Sequence, residues 1–305
     1  MSLLVTGSIA IDTVKTPFGV SENCIGGSAV YFSMAASFFS PVRLVGAVGA
    51  DCPFDFAKVF AGRGVDLTGL EVRKNSKTFR WSGSYSENMD NRKTDYIELN
   101  VLAEGPPAVP LEFSDSKFVF LANTAPNLQL KLLNQIDRPA FVAADTMDLW
   151  IKGHLEDLKT LLKKINCLII NEDEARLLAN EHNLIKAAEK ILNMGTRQYC
   201  RVVIIKKGCS GSLMCDANGN TFILPAYPAT EVKDPTGAGD SFAGGFMGYL
   251  AQNNKTDFAS LKKAVAYGTV VAASTIADFS LNGLVSADKT KIDERFEKLR
   301  KCTSF

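Results

Sequence analysis

Asp234-Pro235-Thr236-Gly237-Ala238-Gly239-Asp240 leads without interruption into Ser241-Phe242-Ala243-Gly244-Gly245-Phe246-Met247-Gly248-Tyr249-Leu250. Phe242, Phe246 and Tyr249-Leu250 fall on or near one face at helical spacing, so a glycine turn delivers the chain into a buried helix. Gly237 and Gly239 let the backbone bend and let an incoming group approach the amides with no Cβ in the way. Unsatisfied N–H groups at a helix start, with the positive end of its dipole, form an anion site. Asp240 stands in that site. A carboxylate beside an anion hole suits proton removal from an attacking hydroxyl while the amides hold a transferring phosphoryl group. The plainer alternative is a glycine turn with Asp240 as helix N-cap.

Outward from this stretch, strands and helices alternate, which predicts a parallel sheet with helices on its faces. Leu3-Leu4-Val5 opens a strand read as continuing to Asp12, and Gly26-Gly27 precedes a helix over 28–39. A strand over 42–48 and a helix over 54–63 follow. The rhythm breaks over 71–103. There Phe79, Trp81, Gly83 and Tyr85 alternate with polar residues, 87–93 is a polar turn, and 96–99 returns. This predicts a hairpin of a separate small sheet, a lid built from about 12–25 and 71–103 on a single core spanning 1–305. Further strands are expected at 118–122, 141–144, 167–170 and 202–205, and a hairpin over 212–224 turns at Asn218-Gly219. Helices are expected over about 127–136, 149–165, 185–194, 257–277 and 288–301, with another after Asn171.

Five strands are thus read as ending in a polar residue: Asp12, Asn123, Asp145, Asn171 and Lys206. In an open parallel sheet those ends share the ligand-binding edge. Asn123 and Asp145 read equally well as helix caps.

The chain has 305 residues and a net charge of +1, which gives no electrostatic footprint for nucleic acid or an anionic membrane. No apolar run reaches eighteen residues. The seven cysteines are scattered without a C-x-x-C pair, and only His154 and His182 could join them. Reduced thiols in a cytoplasmic protein without a zinc site are the expectation.

The string D-P-T-G-A-G-D-S-F before a glycine-rich apolar helix resembles the C-terminal signature of the PfkB (ribokinase-like) family of carbohydrate and nucleoside kinases. The resemblance extends over essentially the whole chain. It implies a three-layer α/β/α sandwich with a mostly parallel central sheet and a small β lid. It implies an ATP-dependent phosphotransferase with Asp240 as catalytic base and with Gly237, Ala238 and Gly239 supplying anion-hole amides. Asp12, Gly26 and Gly27 match the acceptor-binding positions. Asn171 and Glu174 match an N-x-x-E motif that organises Mg²⁺ through waters. Lys206 and Gly208 fall where the family contacts nucleotide, and Thr269 lies near the expected adenine pocket. A monovalent cation near Asp234 and Thr236 occurs in some relatives, and a homodimer through the lid is the partner reading of the lid's aromatic residues. The family's N-terminal signature carries an Asn four positions after the second glycine; here that residue is Tyr31, which speaks against a strict ribokinase. Trp81 with Phe79 and Tyr85 offers an aromatic surface for a nucleoside base, or a surface for a second lid. The acceptor expected is a nucleoside, with a pentose, hexose or inositol, or a silent metabolite sensor of the same fold, as alternatives.

Overall fold

The computed structural model describes residues 1–89, 92–196 and 198–304. Two sheets organise it. The larger has nine strands, and six of its eight pairings are parallel. In chain order its strands are β1 (Leu3–Thr6), β4 (Val42–Gly49), β5 (Val65–Arg73), β8 (Phe118–Leu121), β9 (Phe141–Ala144), β10 (Cys167–Asn171), β11 (Val202–Lys206), β12 (Ser212–Asp216) and β13 (Thr221–Leu224). They lie side by side as β13-β12-β11-β10-β9-β8-β1-β4-β5, with β12 and β13 antiparallel at one edge. The smaller sheet, β3-β2-β6-β7, comprises β2 (Ala10–Thr16), β3 (Gly19–Gly26), β6 (Phe79–Tyr85) and β7 (Arg92–Glu98).

The central strands are continuous apolar runs because helices cover both faces. Side chains alternate between the layers: Leu3 and Val5 of β1 join one core and Leu4 joins the other. The first core gathers the helices Ser28–Ala36, Ala238–Asn253, Phe258–Thr275 and Lys289–Thr303. The second gathers Pro126–Leu133, Leu155–Leu162, Glu172–Ala179 and Leu184–Met194. This is the three-layer sandwich expected. Small residues let the motif helix lie close to its neighbours. A Cβ on Gly244 would stand 2.5 Å from the Phe32 carbonyl oxygen.

Several readings are corrected. The first strand does not run to Asp12. It stops at Thr6, and Asp12 belongs to β2 of the smaller sheet. The break is fixed by Ser8 and Ser28, whose backbone N–H groups each donate to the other's hydroxyl, at 3.1 and 3.0 Å. Residues 71–73 extend β5, which pairs with β4 as an edge strand that the sequence reading passed over. The helix over 54–63 shrinks to one turn, Phe56–Val59. The helix over 149–165 is two, Asp148–Gly153 and Leu155–Leu162, broken where His154 leaves helical geometry at ψ 39°. The polar turn at 87–93 includes Asp90 and Asn91, which lie outside the described residues. No helix among the described residues is long and apolar enough to cross a membrane, and all seven cysteines are unpaired.

Candidate active site

Parallel pairing brings the ends of β8 to β11 onto one edge, and the motif turn sits there. Gly237 is the residue before the helix Ala238–Asn253 and has φ +74°, a left-handed conformation costly for any residue with a Cβ. Space forbids a side chain as well: a Cβ would lie 2.4 Å from the Tyr31 ring. No side chain caps this helix. The Ala238 N–H donates to the Pro235 carbonyl at 3.2 Å, which closes the turn and removes Ala238 from the expected anion-hole donors. Among the described residues, the amides of Gly237 and Gly239 donate to no backbone carbonyl.

Asp240 is the third residue of the helix rather than its cap. Burial pushes its carboxyl up to about 6, against the pull of the Lys206 and Arg92 cations and of its own backbone N–H. Lys206 ends β11 and folds over the turn: a Cβ on Gly239 would lie 2.6 Å from its Nζ. Its ammonium is the leading opposing charge for three of the raised carboxyls, Asp240, Glu174 and Asp145. Asp145 directly follows β9 and is buried, with Oδ1 unpartnered. Burial drives its carboxyl well above the carboxylate range, and the Asp240 charge adds to the rise.

Asn171 and Glu174 form a reciprocal cap on the helix Glu172–Ala179. The Glu174 N–H donates to Asn171 Oδ1 at 2.8 Å, and the Asn171 N–H donates to Glu174 Oε2 at 2.9 Å. One Glu174 oxygen is left over. No three carboxyl, thiol or imidazole groups among the described residues are close enough to cage a metal ion. Acid groups that surround a lysine without forming a cage fit Mg²⁺ that arrives with nucleotide phosphates and keeps its waters. Glu174, with Asp145 and Asp240 nearby, would hold it, and the ion would offset phosphate charge.

A second group of buried residues includes Asp12 of the smaller sheet. Asp12 is 4% exposed, with Oδ1 unpartnered. Burial, with the Asp234 and Asp240 charges, lifts it to about 8, and the Gly27 amide partly opposes this. A Cβ on Gly26 would overlap Asp12 Oδ2 at 1.8 Å, so this glycine makes room for that carboxyl. Asp234 is buried and receives the Thr236 N–H at 2.8 Å and the Ser280 N–H at 3.2 Å. Phe79, with Gly7, Ile9, Leu102, Thr124 and Leu128, walls an apolar cleft beyond the end of β1.

Other expected residues sit differently. Asn123 is spent on structure: its amide donates to the Met147 sulfur at 3.3 Å and its carbonyl accepts from the Trp150 indole at 2.9 Å. Trp81 stays within the smaller sheet, donating to Thr94 Oγ1 at 3.3 Å beneath the Arg92 guanidinium. The Thr269 hydroxyl donates to the Val265 carbonyl and shares no hydrogen bond with the Asp240 cluster among the described residues. Gly208 is exposed and opens a single 3₁₀ turn after β11.

Two contacts escaped the sequence reading. The Tyr85 hydroxyl meets Thr236 Oγ1 at 3.2 Å, joining the smaller sheet to the motif. Arg92, opposite Tyr85 in the β6–β7 register, extends its charge over Asp240 and Glu174. Arg92 had been assigned to a polar turn. Carrying the return strand back until it reached the partner of Tyr85 would have found it.

The fold is a three-layer sandwich with a smaller β-sheet beside it, and its uncapped helix start, buried carboxyls and lysine are chemically suited to phosphoryl transfer. Residues 22–286 match the model of the pfkB family carbohydrate kinases, and the chain belongs to that family. It is an ATP-dependent sugar or nucleoside kinase. A cytidine kinase of Thermococcus kodakarensis is 28% identical over 253 residues, 81% of this chain and 87% of that protein. A nucleoside kinase of Methanocaldococcus jannaschii, a member of the ribokinase family, superposes with a TM-score of 0.76 at 19% identity, covering 97% of this chain and 98% of that one. A nucleoside kinase of Burkholderia thailandensis, solved in complex with inosine, gives a TM-score of 0.77 at 18% identity, covering 97% and 98%.

Proposed function

We propose that the protein transfers the γ-phosphoryl group of ATP to a primary hydroxyl of a nucleoside. One observation carries the reading: a carboxyl held near neutrality, Asp240, shares an uncapped helix start with the free amides of Gly237 and Gly239 and the Lys206 ammonium.

Asp12 anchors the acceptor through hydrogen bonds to its hydroxyls. Asp240 takes the proton of the attacking hydroxyl as the O–P bond forms, and a pKa near 6 leaves it ionised and basic enough at neutral pH. The open amides and Lys206 hold the transferring oxygens, where charge is largest. The smaller sheet acts as a lid, tied to the turn by Tyr85 and contributing Arg92, and it keeps water from the phosphoryl group. A nucleoside is favoured over a free sugar by the cytidine kinase match along most of the chain.

The test is ADP release from Mg-ATP across a panel of nucleosides, pentoses, hexoses and inositol. Turnover with a nucleoside at the lowest KM is expected. Preference for a free sugar would overturn the acceptor assignment. Ligand-raised melting temperatures without any turnover would overturn the enzyme assignment in favour of a sensor.

A further inference from the structure

A cleft of about 270 Å³ lies where the helices Phe258–Thr275 and Lys289–Thr303 meet the short helix Asn282–Val285. Ser274, Ala277, Gly283, Ser286, Lys291 and Arg295 line it, and none of them belongs to the site described above. Gly283 brings the short helix close, since a Cβ there would lie 2.1 Å from the Ser274 carbonyl oxygen.

The charge of this cleft follows from a sequence pattern. Ile292 and Leu299 turn into the core, and Lys291, Arg295 and Lys298 form a basic stripe beside them at helical spacing. Lys289 and Arg300 of the same helix pair with Asp293 and Glu297. Lys291, Arg295 and Lys298 pair with no carboxylate among the described residues. Arg295 donates to the hydroxyl of buried Ser274 at 2.9 Å, and Lys291 donates to the Ser286 carbonyl at 2.9 Å. Both partners are neutral, and most donors of the two cations stay open among the described residues. The end of a helix dipole carries about half a negative charge, too little to account for three cations. Lys291 and Arg295 stand about 6 Å apart along the helix axis, which suits an anion with two separated charged groups better than a single phosphate.

We infer that this cleft is a regulatory site for a small organic polyanion, a di- or tricarboxylate held by Lys291 and Arg295. The route to the motif is short. Ile276 caps the helix Phe258–Thr275, and its carbonyl accepts the N–H groups of Lys233 at 2.8 Å and Asp234 at 3.4 Å. At the other end of that segment Tyr227 carries Arg295 and Lys298 over its ring, each 5.5 Å from the centre. An anion that fixes Arg295 therefore steadies both ends of the stretch 227–234 that leads into Gly237, and nucleotide binding gains.

The test is calorimetric binding of tricarballylate to wild type, Lys291→Met and Arg295→Met, with and without saturating ADP. Inorganic phosphate, a single charged centre, is the control. Wild type should bind tricarballylate more tightly than phosphate. Each variant should bind it about tenfold more weakly, the loss of one charge-assisted contact. Lys291 is exposed, so its variant keeps the fold. ADP should tighten tricarballylate binding about fivefold, and tricarballylate should tighten ADP by the same factor. No binding at millimolar tricarballylate, or wild-type affinity in both variants, would overturn the inference. So would an affinity that ADP leaves unchanged or weakens, since weakening marks an anion seated in the nucleotide's own phosphate site.

Discussion

Two helices begin at the same edge of the central sheet, and they begin in opposite ways. The helix Glu172–Ala179 is closed by its own side chains, with Asn171 and Glu174 satisfying each other's backbone amides. The helix Ala238–Asn253 starts from a left-handed glycine with no capping side chain, and two neighbouring amides stay open. A helix start that stabilises itself has little left for a ligand. One that gives up its cap forgoes about 1 kcal/mol of stability and keeps its donors for a phosphate. Lys206 stands close to both, its Nζ over Gly239 and its charge acting on Glu174.

The contrast can be broken experimentally at several points. The largest effect should come from Lys206→Met. Turnover should fall about 10²- to 10³-fold, the scale of losing one transition-state donor. Lys206 also pulls the Asp240 pKa down, so the acid limb of the kcat–pH profile should move to higher pH. A normal rate with an unmoved limb would detach Lys206 from the open start.

Gly237→Ala should follow. A left-handed φ costs a residue with a Cβ about 1–2 kcal/mol, and the Tyr31 ring occupies the space. Denaturant melts should show that loss and kinetics a fall in kcat. Full stability with full activity would mean the turn does not need its glycine. At the closed start, Asn171→Ala should cost about 1 kcal/mol as lost capping while kcat changes only a few-fold. A collapse of kcat with stability intact would instead give Asn171 a direct role in the chemistry.

Acid should act oppositely on stability and rate. Asp240 and Asp12 are lifted to about 6 and about 8 from unfolded values near 4. Between those limits the folded chain keeps protons that the unfolded chain releases. The stabilisation is therefore present below pH 4 and is lost as pH rises through 6 and then 8. Turnover, which needs ionised Asp240, should rise over the pH range where the melting temperature falls. Asp12→Asn should flatten the upper part of that fall. A melting temperature that climbs from pH 5 to 8 would contradict the burial of these carboxyls.

Much of this arrangement was legible in the sequence because apolar runs bounded by polar residues mark buried parallel strands well. The ends of β9, β10 and β11, with Asp145, Asn171 and Lys206, follow from that pattern alone. Asp12 was placed on the wrong sheet because Leu3 to Asp12 reads as one apolar stretch, and the Ser8–Ser28 exchange that divides it is a contact between distant residues. Edge strand β5 was missed because its half-exposed face weakens the alternation. Asn123 shows the limit of position as a guide. It stands near a strand end, but its partners Met147 and Trp150 come from another segment and turn it to structural use. Ala238 shows the same at atomic scale, since only the turn geometry reveals that its amide is already committed to Pro235.

The most direct measurement is acceptor-dependent ADP formation by Asp240→Asn, with ADP affinity measured on the same preparation. The account predicts turnover lower by about 10²- to 10⁴-fold with nucleotide affinity retained, since the amide keeps the shape and loses the base. Turnover within a few-fold of wild type would contradict it.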